Sequence, residues 1–298
     1  MTPTPLNSPD LSDKVVLITG GTEGIGKAAA LQFAQRGAAV TLIGRNRQKT
    51  ARTLDELKAA TGNDRLSAIS CDLARLGDVR RAAAEFKARN NQLDILVNNA
   101  GATFKTLTHS PDGYERTFAL NHLSHFLLTT ELLDLICATP GARVVSTSSS
   151  MQARGRLDLQ RVATDLSVSG PVAYGTSKLA NILFTQELQR RVGPSVAVNC
   201  FHPGIVRTRF GAFGADFGPL INLIYLLAQP FAKTPEEGAD TLVWLATAPE
   251  AARLRGEYLT NRTIIQPQTQ ALDPVLAAGL WTLSEKLCAD ALSAELVK

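Results

Sequence analysis

The chain has 298 residues, 45% of them hydrophobic and 19% charged, with 22 glycines and 14 prolines. That balance excludes a disordered or fibrous protein and leaves room for a sizeable core. A net charge of +4, from 31 basic and 27 acidic side chains, is too small and too dispersed to predict a nucleic-acid partner.

Residues 1–12 carry three prolines and no apolar run, so they read as a loose tail, neither signal peptide nor spanning helix. From there, short β-rich runs alternate with helical stretches: KVVLIT (14–19), AAVTLIG (38–44), LSAIS (66–70), LDILVNN (93–99), ARVVSTS (142–148) and SVAVNCF (195–201). Each run is apolar almost throughout, as a strand buried on both faces must be. The helices between them are expected to begin near Ile25, Asn46, Leu76, Pro111, Pro171 and Pro235, where a proline in the first turn sacrifices no hydrogen bond. Such alternation predicts an α/β fold, a doubly wound parallel sheet with strand order 3-2-1-4-5-6-7, in one domain spanning 13–298.

The stretch at about 211–234 breaks the rhythm. Phe213, Phe217, Leu220, Ile221, Ile224, Tyr225 and Leu226 would give it an apolar lining, so it is expected either to cover the cleft at the carboxyl edge of the sheet or to pack as a surface helix. Its longest uncharged run, Phe217 to Ala232, is shorter than the roughly 20 apolar residues that span a bilayer and is broken by Pro219 and Pro230, so no transmembrane segment is expected. After Pro274 a last amphipathic helix is predicted, with Leu276, Leu280, Leu283 and Leu287 at helical spacing. Cys71, Cys137, Cys200 and Cys288 form no CxxC pair and read as reduced thiols, with the cytoplasm as the expected location.

The first strand runs directly into Gly20-Gly21-Thr22-Glu23-Gly24-Ile25-Gly26 and then a helix. Glycines there let the backbone turn sharply against a pyrophosphate, whose charge the free amides of the helix start favour. The second strand ends in Gly44-Arg45, where folds that bind NAD place a carboxylate. A guanidinium instead suits a 2′-phosphate, so NADP(H) is the expected cofactor, with Arg47 and Lys49 as auxiliary charges. Asp72-Leu73 after the third strand would meet the adenine. Asn98-Asn99-Ala100-Gly101 after the fourth lies where the ribose would be, although a plain Asn-Gly turn accounts for it equally well.

Tyr174 and Lys178 stand four residues apart on one predicted helix and so share a face. An ammonium there would lower the phenol's pKa toward working pH and make Tyr174 a candidate acid or base. Hydroxyls of Ser146 to Ser150 reach the same edge of the sheet, where one of them would orient a substrate carbonyl. His122 and His125 suggest helix packing rather than a metal pair, since no acidic or cysteine partner stands nearby in the sequence.

Together and in this order, TGxxxGIG at 19–26, NNAG at 98–101, Asn121, the serine strand, YxxxK and the Pro203-Gly204 turn resemble the short-chain dehydrogenases/reductases. The resemblance covers about 13–258 and implies a Rossmann fold. It further implies that Tyr174 is the general acid/base, Lys178 its partner and ribose ligand, Ser149 the carbonyl-orienting hydroxyl, and Asn121 the holder of a water beside Lys178. Pro203, Gly204, Ile205 and Thr208 would approach the carboxamide and pyrophosphate. Asn121 to Thr129, SKLANILFTQEL from Ser177 and LWTLSEKL from Leu280 are similar to the subgroup of retinol dehydrogenases and protochlorophyllide reductases, and the long interval from Ser149 to Tyr174 implies an extra loop at 151–170. The expected reaction is hydride transfer between NADP(H) and a lipophilic ketone, aldehyde or secondary alcohol, with homodimerisation possible. The alternative is an NADP(H)-binding sensor without turnover.

Overall fold

The structure is a computed structural model that describes residues 9–207 and 232–296. Its sheet runs in the order β3-β2-β1-β4-β5-β6-β7-β8. The strands are β1 Val15–Thr19, β2 Ala39–Gly44, β3 Leu66–Ser70, β4 Ile95–Asn98, β5 Arg143–Thr147, β6 Ala197–Phe201, β7 Tyr258–Thr260 and β8 Thr263–Ile264. All neighbours pair in parallel except β7 and β8. The seven-strand expectation thus gains an antiparallel edge. Asn261 and Arg262, at φ of 50° and 59°, make the tight turn whose twist suits a two-residue hairpin.

Alternate strand residues feed opposite layers. Leu17 and Val144 join a core beneath α3 (Leu76–Arg89), α5 (Ser124–Glu131), α7 (Gly170–Val192) and α9 (Pro274–Leu296). Val16, Ile18 and Val145 join a second core beneath α1 (Gly24–Gln35), α2 (Arg47–Thr61) and α8 (Pro235–Thr247). The chain reverses its direction of travel across the sheet between β1 and β4, which opens a crevice at their carboxyl ends.

Local chemistry explains most helix starts. The Asn46 side chain caps α2 by accepting from the Lys49 amide at 2.9 Å, and Thr234 with Glu237 forms a reciprocal capping box before Pro235 in α8. The start expected at Pro111 is wrong. Pro111 to Gly113 forms a turn in which Gly113 takes φ of 86°, and the helix begins only at Arg116 (α4, Arg116–Phe118). There the buried Glu115 carboxylate accepts from the amides of Thr117 and Phe118, both at 2.7 Å. A π-helical turn, Ala119–Leu123, joins α4 to α5, and α6 (Leu133–Ala138) follows.

The buried stripe of α9 also differs from the leucine spacing. Ala277, Leu280, Trp281, Ser284, Cys288 and Leu292 are its buried residues, while Leu276, Leu283 and Leu287 flank them half-buried. Trp281 sets that face: its ring lies 4.9 Å from Phe126 and 6.0 Å from Phe184, with the Arg191 guanidinium 4.2 Å above it. The loop expected at 151–170 lies beside α7. Gln268 donates to the Gly155 carbonyl at 2.9 Å, and Gly155 sits so close to Gly175 that a Cβ there would come within 2.6 Å of its backbone.

The covering segment proposed at 211–234 lies almost wholly outside the described residues. Its flanks are described, and Val206 and Lys233 are bridged: the Lys233 amide donates to the Ile205 carbonyl and the Arg207 amide to the Lys233 carbonyl, both at 2.9 Å. Among the described residues no helix is long and apolar enough to cross a membrane. Replacing Trp281 by Ala should cost about 3–5 kcal/mol of unfolding free energy, read from urea denaturation. A loss under about 1 kcal/mol would separate α9 from the cooperative core.

Candidate active site

A cleft of about 570 Å³ lies at the carboxyl edge of the sheet, running from Arg45 and Asp72 at one end to Ser149 and Tyr174 at the other. Its floor is the turn between β1 and α1. Gly20 holds φ of 67°, and a Cβ on Gly26 would stand 2.2 Å from the Gly20 carbonyl oxygen, so only glycine permits this fold of the chain. The turn is stitched to the neighbouring strand ends. Thr19 Oγ1 accepts from the amides of Asn99 and Ala100, both at 2.9 Å, and Asn99 Nδ2 donates to the Thr19 carbonyl at 3.2 Å. Thr147 on β5 completes the tie by donating to Asn99 Oδ1 at 3.2 Å.

Gly20, Thr22, Glu23, Gly24, Ile25, Gly26, Arg45, Asp72, Leu73, Asn99, Ala100 and Gly101 all line the cleft, as do Pro203, Gly204 and Ile205 opposite. Arg45 is mostly exposed and stands 3.9 Å from the Asp72 carboxylate, close enough to be steered but not clamped. Lys49 pairs with Glu23 at 2.5 Å and Arg47 reaches Ser70 at 3.4 Å. The cradle of amides and glycines, with a cation at its far end, fits a dinucleotide carrying an extra phosphate.

One expected cofactor residue falls elsewhere. Asn98 is fully buried and its side chain turns under the sheet, where Nδ2 donates to Thr129 at 2.9 Å. Strand alternation explains this, because Asn98 and Asn99 must point to opposite faces and Asn99 alone faces the glycine turn. Thr208 lies outside the described residues.

At the other end of the cleft α7 presents Tyr174 and Lys178 on one face, with Lys178 Nζ 5.6 Å from the phenol ring centre. Lys178 Nζ donates to the Thr147 carbonyl at 3.0 Å. The Tyr174 phenol lies within electrostatic reach of the Ser149 hydroxyl. Of the neighbouring serines, Ser148 is buried and donates to the Lys178 carbonyl at 2.8 Å, while Ser150 is exposed. Asn121 sits within the π-helical turn. Its side chain donates to the Ala102 carbonyl at 2.9 Å and to Ser177 at 3.0 Å, and its own carbonyl accepts from Asn181 at 3.0 Å. A Cβ placed on Gly101 would lie 3.2 Å from both Asn121 Oδ1 and Lys178 Nζ, so these two groups converge over a bare backbone.

Phe104, Arg116, Leu120 and Met151 also line the cleft and were not singled out in the sequence. Tyr258, too, escapes notice there, although its hydroxyl donates to the Ser149 carbonyl at 3.2 Å. These residues occur singly in loops or distant elements and carry no motif that chain order could reveal.

The profile of the short chain dehydrogenase family matches residues 14–214. Retinol dehydrogenase 14 of Mus musculus is 37% identical over 91% of this chain and 85% of its own length. Polyprenol dehydrogenase of Homo sapiens is 35% identical over 93% and 85% respectively. A short chain dehydrogenase of Burkholderia cenocepacia, solved in complex with NADP, matches with a TM-score of 0.67 at 27% identity and covers 85% of this chain and 97% of its own. The chain belongs to the short-chain dehydrogenase family. Within it, the relatives place the chain in the retinol dehydrogenase-like subgroup.

The electrostatics of this short-chain dehydrogenase reverse one expectation. Burial pushes the Tyr174 phenol up to about 12, with the Ser149 hydroxyl opposing, and pulls the Lys178 ammonium down to about 7. A lysine that is itself only partly charged near neutrality is a weak stabiliser of phenolate, so desolvation outweighs the cation expected to acidify the tyrosine.

Stability should therefore vary with pH. Because Lys178 titrates near 7 in the fold against an ordinary 10.5, the unfolded chain binds more protons between those values. Its contribution to stability is complete above 10.5, and is lost as pH falls through 7. Tyr174 opposes this only above its ordinary 10, where the folded chain retains the proton. Lys178→Met should flatten the rise in urea-unfolding free energy between pH 7 and 9; equal slopes in parent and variant would exclude the buried lysine as its source.

Proposed function

We propose that this chain is an NADP(H)-dependent oxidoreductase that interconverts a lipophilic ketone or aldehyde with its alcohol, the catalytic unit spanning about 13–298. The observation that carries this reading is the convergence of Tyr174, Ser149 and Lys178 at one end of a glycine-floored cleft whose other end carries Arg45. When bound, the nicotinamide supplies or accepts the hydride. Gly20 to Gly26 would hold the pyrophosphate, Arg45 the 2′-phosphate, Asp72 and Leu73 the adenine, and Lys178 a ribose.

The protein's own part is positional and protonic. Ser149 donates a hydrogen bond to the substrate oxygen and holds it against the Tyr174 hydroxyl. With its phenol pushed up to about 12, Tyr174 keeps its proton at neutral pH and is ready to deliver it as negative charge develops on that oxygen. The phenol's proton passes to the substrate oxygen, and Lys178 in its ammonium form stabilises the phenolate that remains. Asn121 fixes the Ala102 backbone and Ser177 around them. This charge state suits carbonyl reduction. A lipophilic substrate is supported by the apolar composition of 211–234, whose flanks adjoin the cleft at Ile205 and Val206, and by the retinol and polyprenol in the names of the relatives.

Tyr174→Phe should lower turnover of hydrophobic aldehydes or ketones by about 10²-fold or more while leaving NADPH binding within about twofold. Undiminished turnover would remove Tyr174 from the acid/base role. Arg45→Ser should weaken NADPH binding by about 10- to 100-fold and leave NADH nearly unchanged, since a charge-assisted contact to phosphate contributes about 1.5–3 kcal/mol. Equal losses for both cofactors, measured by fluorescence titration, would place the 2′-phosphate elsewhere.

A further inference from the structure

Six buried side-chain polar atoms lack a hydrogen-bond partner among the described residues, and four of them belong to Asn98 (Oδ1), Ser146 (Oγ) and His125 (Nδ1 and Nε2). These residues come from β4, β5 and α5, on the face of the sheet that α5 covers. Asn98 and Ser146 are register partners at the ends of β4 and β5, so both side chains leave the sheet on one face, with backbones about 5 Å apart. Asn98 reaches α5 by donating to Thr129 at 2.9 Å, and Thr129 donates to the His125 carbonyl at 2.7 Å. His125 stands one turn earlier on the same helix face, within electrostatic reach of Lys178. The Ala100 backbone, two residues beyond Asn98, lies beside the imidazole without closing a well-formed hydrogen bond. Ser148, two residues beyond Ser146, bonds the Lys178 carbonyl and so places the lysine's helix against the same face.

Asn98, Ser146 and His125 are fully buried. The titratable groups facing the His125 ring are Lys178 from α7 and His122 from the preceding π-helical turn; burial first, then these two, hold the imidazole well below its ordinary pKa. A neutral imidazole has one donor and one acceptor. The Ser146 hydroxyl adds a donor and Asn98 Oδ1 an acceptor. One ring nitrogen of His125, the Ser146 hydroxyl and Asn98 Oδ1 are three groups within the hydrogen-bonding capacity of a single water molecule, and buried polar atoms of this kind are commonly satisfied in that way.

We propose that Asn98, Ser146 and His125 bind one buried water, and that His125 thereby acts as a positioning residue for Lys178. The water's dipole solvates the Lys178 ammonium and so favours the charged form that stabilises the Tyr174 phenolate. Neither His125 nor the water touches substrate.

The water is read directly from a high-resolution crystal structure of the full chain with NADP. The expected result is one ordered water within hydrogen-bond distance of Asn98 Oδ1, Ser146 Oγ and a His125 ring nitrogen. A dry site, in a map that shows other buried waters, overturns the proposal. Its effect on Lys178 rests on the reaction proposed above and is read separately. His125→Phe should lower kcat about tenfold and move the pH profile of kcat by about half a unit or more, with KM for NADPH unchanged. His125→Gln, which keeps a donor and an acceptor, should recover most of both. Should His125→Phe fail to fold, Ser146→Ala is expected to shift the profile in the same direction with a smaller loss. An unmoved profile in a folded variant overturns the positioning role. A parent without turnover on any carbonyl substrate would sink the reaction but leave the crystallographic result standing.

Discussion

Everything in the site depends on how three strand ends are fastened together. Thr19 at the end of β1 takes the amides of Asn99 and Ala100, and Thr147 at the end of β5 takes hold of the Asn99 side chain. A crevice at the point where the sheet reverses its winding would otherwise present unsatisfied amides and a mobile glycine turn. Hydroxyl and amide side chains here do for the strand ends what ladder bonds do within the sheet, and the cost of holding Gly20 and Gly26 in a narrow turn is met by contacts that also shape the cleft.

The same fastening brings a backbone carbonyl to the lysine. Thr147 offers its hydroxyl to Asn99 and its carbonyl to Lys178 Nζ, so the residue that closes the glycine floor of the cleft also holds the lysine at its other end. Burial then dominates the titration behaviour: the phenol is held in its protonated form and the ammonium is brought near neutrality. A tyrosine and lysine on one helix face would behave quite differently on an exposed helix, and the distinction arises from the layers of α5, α7 and α9 packed around them.

Much of this was legible in the residues. Six apolar runs separated by helical stretches mark β1 to β6, because strands buried on both faces leave a compositional trace, whereas β7, only Tyr258–Thr260, is too short to leave one. TGxxxGIG and YxxxK bring Gly20 to Gly26, Tyr174 and Lys178 to a common cleft. What escaped reading has physical reasons. Neighbouring asparagines in a strand face opposite ways, so the NNAG run could not say that Asn98 turns inward while Asn99 serves the site. Pro111 is permitted at a helix start and in a turn alike, and the glycine two residues later decided between them. Leucine periodicity in α9 located a helix but not its buried side, which the bulk of Trp281 sets. No pattern of residue types predicted that desolvation would overcome the attraction between Tyr174 and Lys178.

The bridge between Val206 and Lys233 has an evolutionary corollary. Because the chain departs and returns through two adjoining residues pinned backbone to backbone, whatever is spliced between them leaves the glycine turn and the Tyr174 and Lys178 end of the cleft in place. The entropic toll of lengthening or shortening such a closed excursion grows only logarithmically. Changes of length in that one stretch can therefore accumulate while the glycine-floored cleft keeps its shape.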